Sequence, residues 1–347
     1  MKHIGKSYDK VDAKGILSGK PSYTGDFVPK DALIIKVLRS PHAQAKIKSI
    51  DTSKAKLIPG VEAIFTYEDV PNTRFTLAGQ TYPEPSAYDA LILDSVVRYV
   101  GDEVALVVAK DEATALKAMP LIKVEYELQK PVLDLRTAMD HETVVHPEDD
   151  ILNHIPVGQD YKRNICVSYH KRVGDIEGEL AKCDYVVEGT YFDQATRQSA
   201  MEPFQSFGYI DHLGRIVIVS STQIVFHVRR HIARALGIPA SKIRVIKPRI
   251  GGGFGSKQTA CTELMTAFVT WKLQKPCYLL YDRTEAQTCS TTRHAREWYI
   301  RVGATKDGII QVIDMDSITD AGAHATHCFT TTTAGEHKSV PLYNKAK

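Results

Sequence analysis

The sequence has 347 residues, of which 43% are hydrophobic and 24% are charged. This length and composition are typical of a globular protein of about two domains, and they exclude a disordered chain and a collagen-like fibre. Because the formal net charge is only +3, we do not expect a nucleic-acid partner. No apolar run approaches the length of a membrane span, and the first ten residues lack the apolar core of a secretory signal. We therefore expect a cytoplasmic protein without a membrane partner.

The cysteines are irregularly spaced and all lie in the second half of the chain: Cys166, Cys183, Cys261, Cys277, Cys289 and Cys328. No CxxC pair occurs, which argues against a structural zinc site and against a complete iron–sulfur ligand set in this chain. We therefore expect reduced thiols.

Residues 1–140 have the pattern of a mixed α/β unit. Short apolar runs predict strands over residues 33–38, 61–65, 96–100, 103–109 and 122–126. Residues 111–119 predict a short helix, which Asp111 can cap and Pro120 ends. Prolines and polar residues predict a loop over residues 71–90.

The rest of the chain begins with residues 141–165, which lack clear periodicity and predict a long inter-domain connection. Further strands are predicted over residues 185–192, 206–211, 215–221, 242–248 and 277–281. One more strand is predicted on each side of the turn Lys306-Asp307-Gly308. Helices are predicted over residues 224–236, which Gly237 ends, and over about 259–273.

A glycine-rich loop, GGGFGSKQ at residues 251–258, lies between a predicted strand and a predicted helix. This arrangement presents backbone N–H groups and a helix N-terminus to an anion. The loop matches neither the phosphate-binding loop, because Ser256 precedes Lys257, nor the dinucleotide fingerprint. From the residues alone, a turn that only allows close packing of helix on strand explains it equally well.

Three other groups of polar residues also have structural interpretations. Thr222 and Gln223 lie between a strand and a helix, where they either cap the helix or offer an amide that both donates and accepts. Histidines at 324 and 327 with a cysteine at 328 suggest a metal, but no third ligand has a recognisable spacing, so we expect no metal held directly by side chains. A solvated helix face is expected for four basic residues: Arg229, Arg230, His231 and Arg234.

Short motifs follow one another in order along both halves of the chain. The first half contains Asp12-Ala13-Lys14-Gly15, Tyr23-Thr24-Gly25-Asp26, Ser40-Pro41-His42-Ala43, Pro59-Gly60-Val61 and Tyr99-Val100-Gly101-Asp102-Glu103-Val104-Ala105. The second half contains Met201-Glu202-Pro203, Ser221-Thr222-Gln223, the glycine loop, Asp282-Arg283, Arg293-His294 and Asp320-Ala321-Gly322-Ala323. In this order and spacing they resemble the molybdenum-binding subunit of the xanthine dehydrogenase and aldehyde oxidase family, over essentially the whole chain.

The resemblance implies an α+β fold. An α/β hammerhead domain would occupy residues 1–140 and a linker residues 141–165. An incomplete molybdopterin-binding domain, either truncated or completed by another chain, would occupy residues 166–347.

The resemblance also implies a molybdenum–pterin cofactor, with which the family hydroxylates an electron-poor carbon using oxygen from water. Electrons would leave through iron–sulfur clusters and FAD on partner subunits. Matched position by position, Gln223 would bond to the oxo or pterin region of the cofactor. The loop residues that would cradle the cofactor are Gly252, Gly253, Phe254 and Gly255. Gln258 would face the substrate, where purine oxidases of the vertebrate type have a glutamate and aldehyde oxidases tend to have an apolar residue.

No catalytic residue is expected in these 347 residues, because the family's general-base glutamate and substrate-positioning arginine lie further downstream. We therefore expect a remainder of the molybdenum subunit as a partner and no turnover by this chain alone. A purine or related N-heterocycle is the first substrate class. Nicotinate, aldehydes and carbon monoxide remain open, as does a cofactor-free, non-catalytic fragment of this fold.

Overall fold

The computed structural model describes residues 3–20, 22–79 and 81–343, in which helices and strands are mixed along the chain. The strands are β1 (Leu33–Arg39), β2 (Ala45–Asp51), β3 (Val61–Phe65), β4 (Val96–Val97), β5 (Glu103–Ala109), β6 (Lys123–Leu128), β7 (Tyr185–Asp193), β8 (Gln205–Ile210), β9 (Ile216–Ser220), β10 (Ile243–Ile246), β11 (Cys277–Leu280), β12 (Arg296–Ala304) and β13 (Ile310–Thr319). The α-helices are α1 (Ala13–Leu17), α2 (Ser53–Lys56), α3 (Glu112–Ala118), α4 (Ile176–Leu180), α5 (Val225–Leu236), α6 (Glu263–Leu273), α7 (Arg283–Thr288) and α8 (Cys328–Ser339).

Most of the predicted strands and helices are confirmed, but helices α1, α2, α4, α7 and α8 were not predicted. Three other elements also differ from the prediction. Strand β2 was missed, although Ala45 and Ile47 are buried while the lysines between and after them point outward, which is the alternation of a half-buried strand. The strand predicted over 96–100 stops at Val97. Helix α6 begins at Glu263 instead of residue 259, because the chain first makes a 3₁₀ turn over Ser256–Gln258 and then becomes extended.

The largest sheet combines strands from both halves of the chain, in the order β10-β9-β8-β11-β1-β5-β3. Its junction is the parallel pair of β1 and β11, in which Leu33 lies opposite Cys277. Strand β5 is an almost continuous apolar run and is buried along nearly its whole length, as expected for a strand covered on both faces. One core therefore connects the predicted hammerhead segment with the second half of the chain. The predicted domain boundaries themselves stay a prediction.

Helices α5 and α6 pack beside each other, and both contribute apolar residues to this core. The C-terminus of α5 is confirmed at Gly237, which has φ +64°, a backbone conformation that glycine adopts without strain. The solvated basic face expected for α5 is wrong, because His231 is buried, Arg230 pairs with Glu84 and Arg234 donates to the carbonyl of Arg74. These contacts fasten the helix to residues 71–90.

Two smaller sheets have the orders β4-β2-β6 and β13-β12-β7. Residues 141–165 have no regular element except the 3₁₀ turn Tyr161–Arg163, as the absence of periodicity predicted. All six cysteines are unpaired, and their reduced state stays a prediction. Within the described ranges, no helix is both long and apolar enough to cross a membrane.

Candidate cofactor site at the glycine loop

The glycine loop joins β10 to the 3₁₀ turn before α6, and three residues with positive φ shape it. Gly252 and Gly255 have φ values of +97° and +93°, and Phe254 between them has φ +53°. Glycine adopts this left-handed region freely, but for a bulky residue it is strained. Phe254 is also 75% exposed. A strained and exposed aromatic residue is unexpected in a turn that only allows close packing, and such strain is common where a loop holds a ligand.

A carboxylate behind the loop binds both of its ends. Glu202 Oε2 accepts from the backbone N–H of Gly251 at 2.6 Å and lies 3.1 Å from the ammonium of Lys257. The same ammonium donates to the backbone carbonyl of Glu202 at 3.0 Å. Burial lowers the pKa of Lys257, which is 1% exposed, while the charge of Glu202 acts in the opposite direction. Glu202 therefore fixes the shape of the loop.

Sequence reasoning missed this role of Glu202, although Met201-Glu202-Pro203 belongs to the motifs. Nothing local indicates it, because Gly251 and Lys257 lie far along the chain from Glu202. The nearest available signal was the lysine inside an otherwise apolar and glycine-rich segment. A buried lysine needs an anionic partner.

Gln223 makes hydrogen bonds to the loop through both its side chain and its backbone. Its side-chain oxygen accepts from the backbone N–H of Gly255 at 3.2 Å, and its own backbone N–H donates to the carbonyl of Lys257 at 2.9 Å. Since the backbone N–H must meet the oxygen, the amide nitrogen points the other way, and no acceptor for it exists among the described residues. The helix-capping alternative is wrong for Gln223, because the N–H of Ile224 before α5 is bound by Thr222 instead.

The glycine at 253 is required by this contact. A Cβ there would lie 2.5 Å from the side-chain oxygen of Gln223, so any other residue would push the amide away. Across the described part of the chain, the backbone N–H groups of Gly252, Gly253 and Phe254 have no acceptor either. The predicted cofactor residues therefore leave four donor groups free within the described ranges, here called the donor row: the backbone N–H groups of Gly252, Gly253 and Phe254 and the amide of Gln223.

Gln258 lies further from the helix than the sequence predicts. It ends the 3₁₀ turn Ser256–Gln258, and α6 begins only at Glu263. Its backbone N–H donates to the carbonyl of Gly255 at 3.1 Å, and its side chain is half-buried, with no hydrogen-bond partner in residues 3–20, 22–79 and 81–343. The substrate-facing role of Gln258 stays a prediction.

A separate cavity of about 280 Å³ lies between the two halves of the chain. Thr259 and Ala260 line it, but Gln223, Phe254 and Gln258 do not. Ionisable groups also line it, among them Arg98 and Asp102, and burial raises the pKa of Asp102 well above its ordinary value. The glycine loop and this cavity are therefore distinct candidate sites.

Comparison with known proteins identifies relatives of both halves. A family model described as "Molybdopterin cofactor-binding domain" matches residues 157–346, and one described as "Aldehyde oxidase and xanthine dehydrogenase, a/b hammerhead domain" matches residues 18–130. The chain is 38% identical over 364 aligned residues to the "Probable hypoxanthine oxidase XdhD" of Escherichia coli (strain K12), covering 98% of this chain and 38% of that protein. It is 31% identical to the "Nicotinate dehydrogenase large molybdopterin subunit" of Eubacterium barkeri, covering 93% of this chain and 72% of that protein.

The solved structures give the same result. The aldehyde oxidoreductase of Desulfovibrio gigas superposes with a TM-score of 0.79 at 26% identity, covering 91% of this chain and 34% of that one. The expected hammerhead and molybdopterin-binding folds are thereby confirmed. The chain spans little more than a third of the length of two of these three relatives.

Proposed function

Because the chain belongs to the molybdopterin cofactor-binding family of aldehyde oxidases and xanthine dehydrogenases, we propose that it is part of the molybdenum subunit of a hydroxylase. Its substrate is a purine or a related N-heterocycle. The observation that carries the proposal is the row of free donors at the glycine loop. Four donor groups that have no acceptor among the described residues suit a ligand rich in oxygen acceptors.

The donor row fits a molybdenum–pterin cofactor. When bound, the cofactor would supply the redox centre at which oxygen from water is added to an electron-poor carbon. Gln223 would donate its amide N–H to the oxo or pterin region, while the N–H groups of Gly252, Gly253 and Phe254 would hold the adjacent part. The Phe254 ring would cover apolar surface beside it. The contacts of Glu202 with Gly251 and Lys257 hold these donors in place before the cofactor binds. The loop therefore requires little ordering on binding.

Gln258 is the proposed substrate-selecting residue. Its free amide can donate to a ring nitrogen or accept from a ring N–H, whereas an aldehyde offers no N–H. The hypoxanthine and nicotinate relatives support an N-heterocycle, while the aldehyde oxidoreductase structure keeps the aldehyde alternative open. The proposed partners are the remainder of the molybdenum subunit, an iron–sulfur subunit and an FAD subunit.

The cofactor assignment is tested by the molybdenum and pterin content of the chain purified from a host that makes the cofactor. We expect both to be present, and Gln223→Ala to lower both several-fold while the circular dichroism spectrum is unchanged. Gln194→Ala is the matched control, because Gln194 is exposed and distant in sequence from the loop. A parent chain without molybdenum or pterin would favour the non-catalytic alternative.

The substrate assignment is tested in the enzyme assembled with its partner subunits. Gln258→Glu places a carboxylate where only a ligand with an N–H or a positive charge can meet it. We expect kcat/KM for hypoxanthine to rise relative to that for an aldehyde, at constant molybdenum content. An unchanged ratio, or loss of molybdenum, would show that the side chain does not face the substrate.

A further inference from the structure

Three ionisable side chains from distant segments meet in the interior of the protein. Asp89 lies at the end of residues 71–90, His146 in residues 141–165 and His324 just after β13. The Nδ1 atom of His324 is 3.5 Å from Asp89 Oδ1, and the Nε2 atom of His146 is 3.9 Å from Asp89 Oδ2. One donor atom from each residue lies within 4.8 Å of the other two. The Asp89 side chain is 2% exposed.

Several polar atoms of this cluster are buried without a hydrogen-bond partner. They are Asp89 Oδ1, His146 Nδ1, Glu148 Oε2 and His324 Nδ1. A buried polar atom without a partner destabilises the fold, so four of them in one place require an explanation, such as the binding of an ion. The cluster has one fixed point, because the other oxygen of Asp89 accepts from the backbone N–H of Ala325 at 2.7 Å.

We propose that Asp89, His146 and His324 bind a divalent transition-metal ion of the zinc class. Two imidazole nitrogens and one carboxylate oxygen are a ligand set typical of Zn²⁺. With bonds of about 2.0–2.2 Å, two ligands of a tetrahedral zinc lie about 3.3–3.6 Å apart. The distances of 3.5 and 3.9 Å run to different oxygens of Asp89, and no two of the three donor atoms are more than 4.8 Å apart. Binding would therefore require the side chains to approach one another by up to about 1.5 Å.

The orientation of His146 supports the same assignment. Its Nδ1 atom lies 3.6 Å from Glu148 Oε2, and both atoms lack partners. Without a metal, Nε2 donates to the carbonyl of Ala323 at 2.6 Å. If Nε2 instead binds a metal, the proton moves to Nδ1 and is donated to Glu148. A carboxylate that orients a metal-binding histidine in this way is a common feature of zinc sites.

The charged side chains around the cluster include more carboxylates than arginines, which favours binding of a divalent cation. Four carboxylates and two arginines form the connected ion pairs around the cluster: Asp89, Asp94, Glu148, Asp150, Arg74 and Arg98. The carboxylates therefore exceed the arginines by two. A route for the ion exists, since His324 lines the cavity of about 280 Å³. The fourth coordination position would face that cavity and hold a water molecule.

Such an ion would link three irregular segments that are distant in the sequence: residues 71–90, residues 141–165 and the residues just after β13. It differs from the metal that the HxxH pattern suggested, because His327 takes no part. That histidine accepts from the backbone N–H of Gly79 at 2.9 Å and contacts Thr259. None of the contacts of the cluster involves the glycine loop, so the inference is independent of the proposed function.

The experiment is zinc binding to the 347-residue chain after removal of metals with a chelator. We expect one Zn²⁺ per chain by mass spectrometry of metals after dialysis, and a rise in melting temperature when zinc is added. Asp89→Asn and His324→Asn should each weaken binding at least tenfold, and Glu148→Gln by about 10–100-fold. The control His154→Asn changes an exposed histidine beside Tyr88 and should bind zinc normally.

Two further measurements keep the inference testable if a variant folds poorly. Cobalt in place of zinc should give a spectrum without a thiolate-to-metal charge-transfer band, because no sulfur ligand is proposed. Cys328→Ser should therefore leave zinc binding unchanged. The inference is wrong if the parent chain binds no zinc at micromolar concentration, if Asp89→Asn and Glu148→Gln both bind it like the parent, or if binding is lost only in Cys328→Ser.

Discussion

The contacts of Glu202 with Gly251 and Lys257 give the sharpest test of how the candidate site is built. Glu202→Gln keeps the size of the side chain and removes its charge. Glu202 receives hydrogen bonds from Gly251 and Lys257 through one oxygen and from Gln205 through the other, at 2.7 Å. An amide has only one acceptor oxygen, so at least one of these donors loses its partner.

The expected loss of stability follows from the burial of Lys257. Removing one partner of a buried ion pair costs about 3–5 kcal/mol, since the other charge is left uncompensated. Lys257 keeps its bond to the backbone carbonyl of residue 202, which places the expected loss near the lower limit, at about 3 kcal/mol. In a domain of 150–250 residues this lowers the melting temperature by roughly 6–12 °C.

The assay is urea unfolding followed by circular dichroism, with a matched exposed pair as control. Glu62 and Lys275 are closer to each other, at 2.6 Å, but their side chains are 35% and 51% exposed. Glu62→Gln should therefore cost less than about 1 kcal/mol. The double variant Glu202→Gln with Lys257→Met should recover most of the loss, because no buried charge remains. Equal effects of Glu202→Gln and Glu62→Gln would refute the argument from burial.

Two other predictions concern protonation and shape. Burial and the neighbouring His294 lower the pKa of His327 to about 4, below its unfolded value of about 6.5. The contribution of this histidine to the free energy of unfolding is therefore fully present above about pH 6.5, and it falls by about 3 kcal/mol as the pH is lowered from 7 to 4. His327→Gln, which keeps an acceptor for Gly79, should lose less stability over this range, and identical pH profiles in urea unfolding would contradict the assignment. Gly253→Ala should displace the Gln223 amide and lower molybdenum content several-fold with a normal circular dichroism spectrum; full molybdenum content would show that this amide is not needed to hold the cofactor.

The amino-acid sequence by itself determined the elements whose signals are local. The apolar run of β5, the periodicity of α5 and its end at Gly237 were all predicted correctly, because each depends on neighbours within a few residues. The glycine loop was also located correctly as a candidate site. Its motifs led to the family, and the comparisons confirmed that resemblance.

The tertiary structure alone decided which residues meet. It placed Glu202 against the loop, oriented the amide of Gln223 and showed that a short irregular segment separates Gln258 from α6. It also placed Asp89 and His146 beside His324. No spacing in the sequence indicates this cluster, because Asp89 and His146 come from irregular segments. Contacts between distant segments depend on how the sheet and its loops pack together, and a local pattern carries no information on that packing.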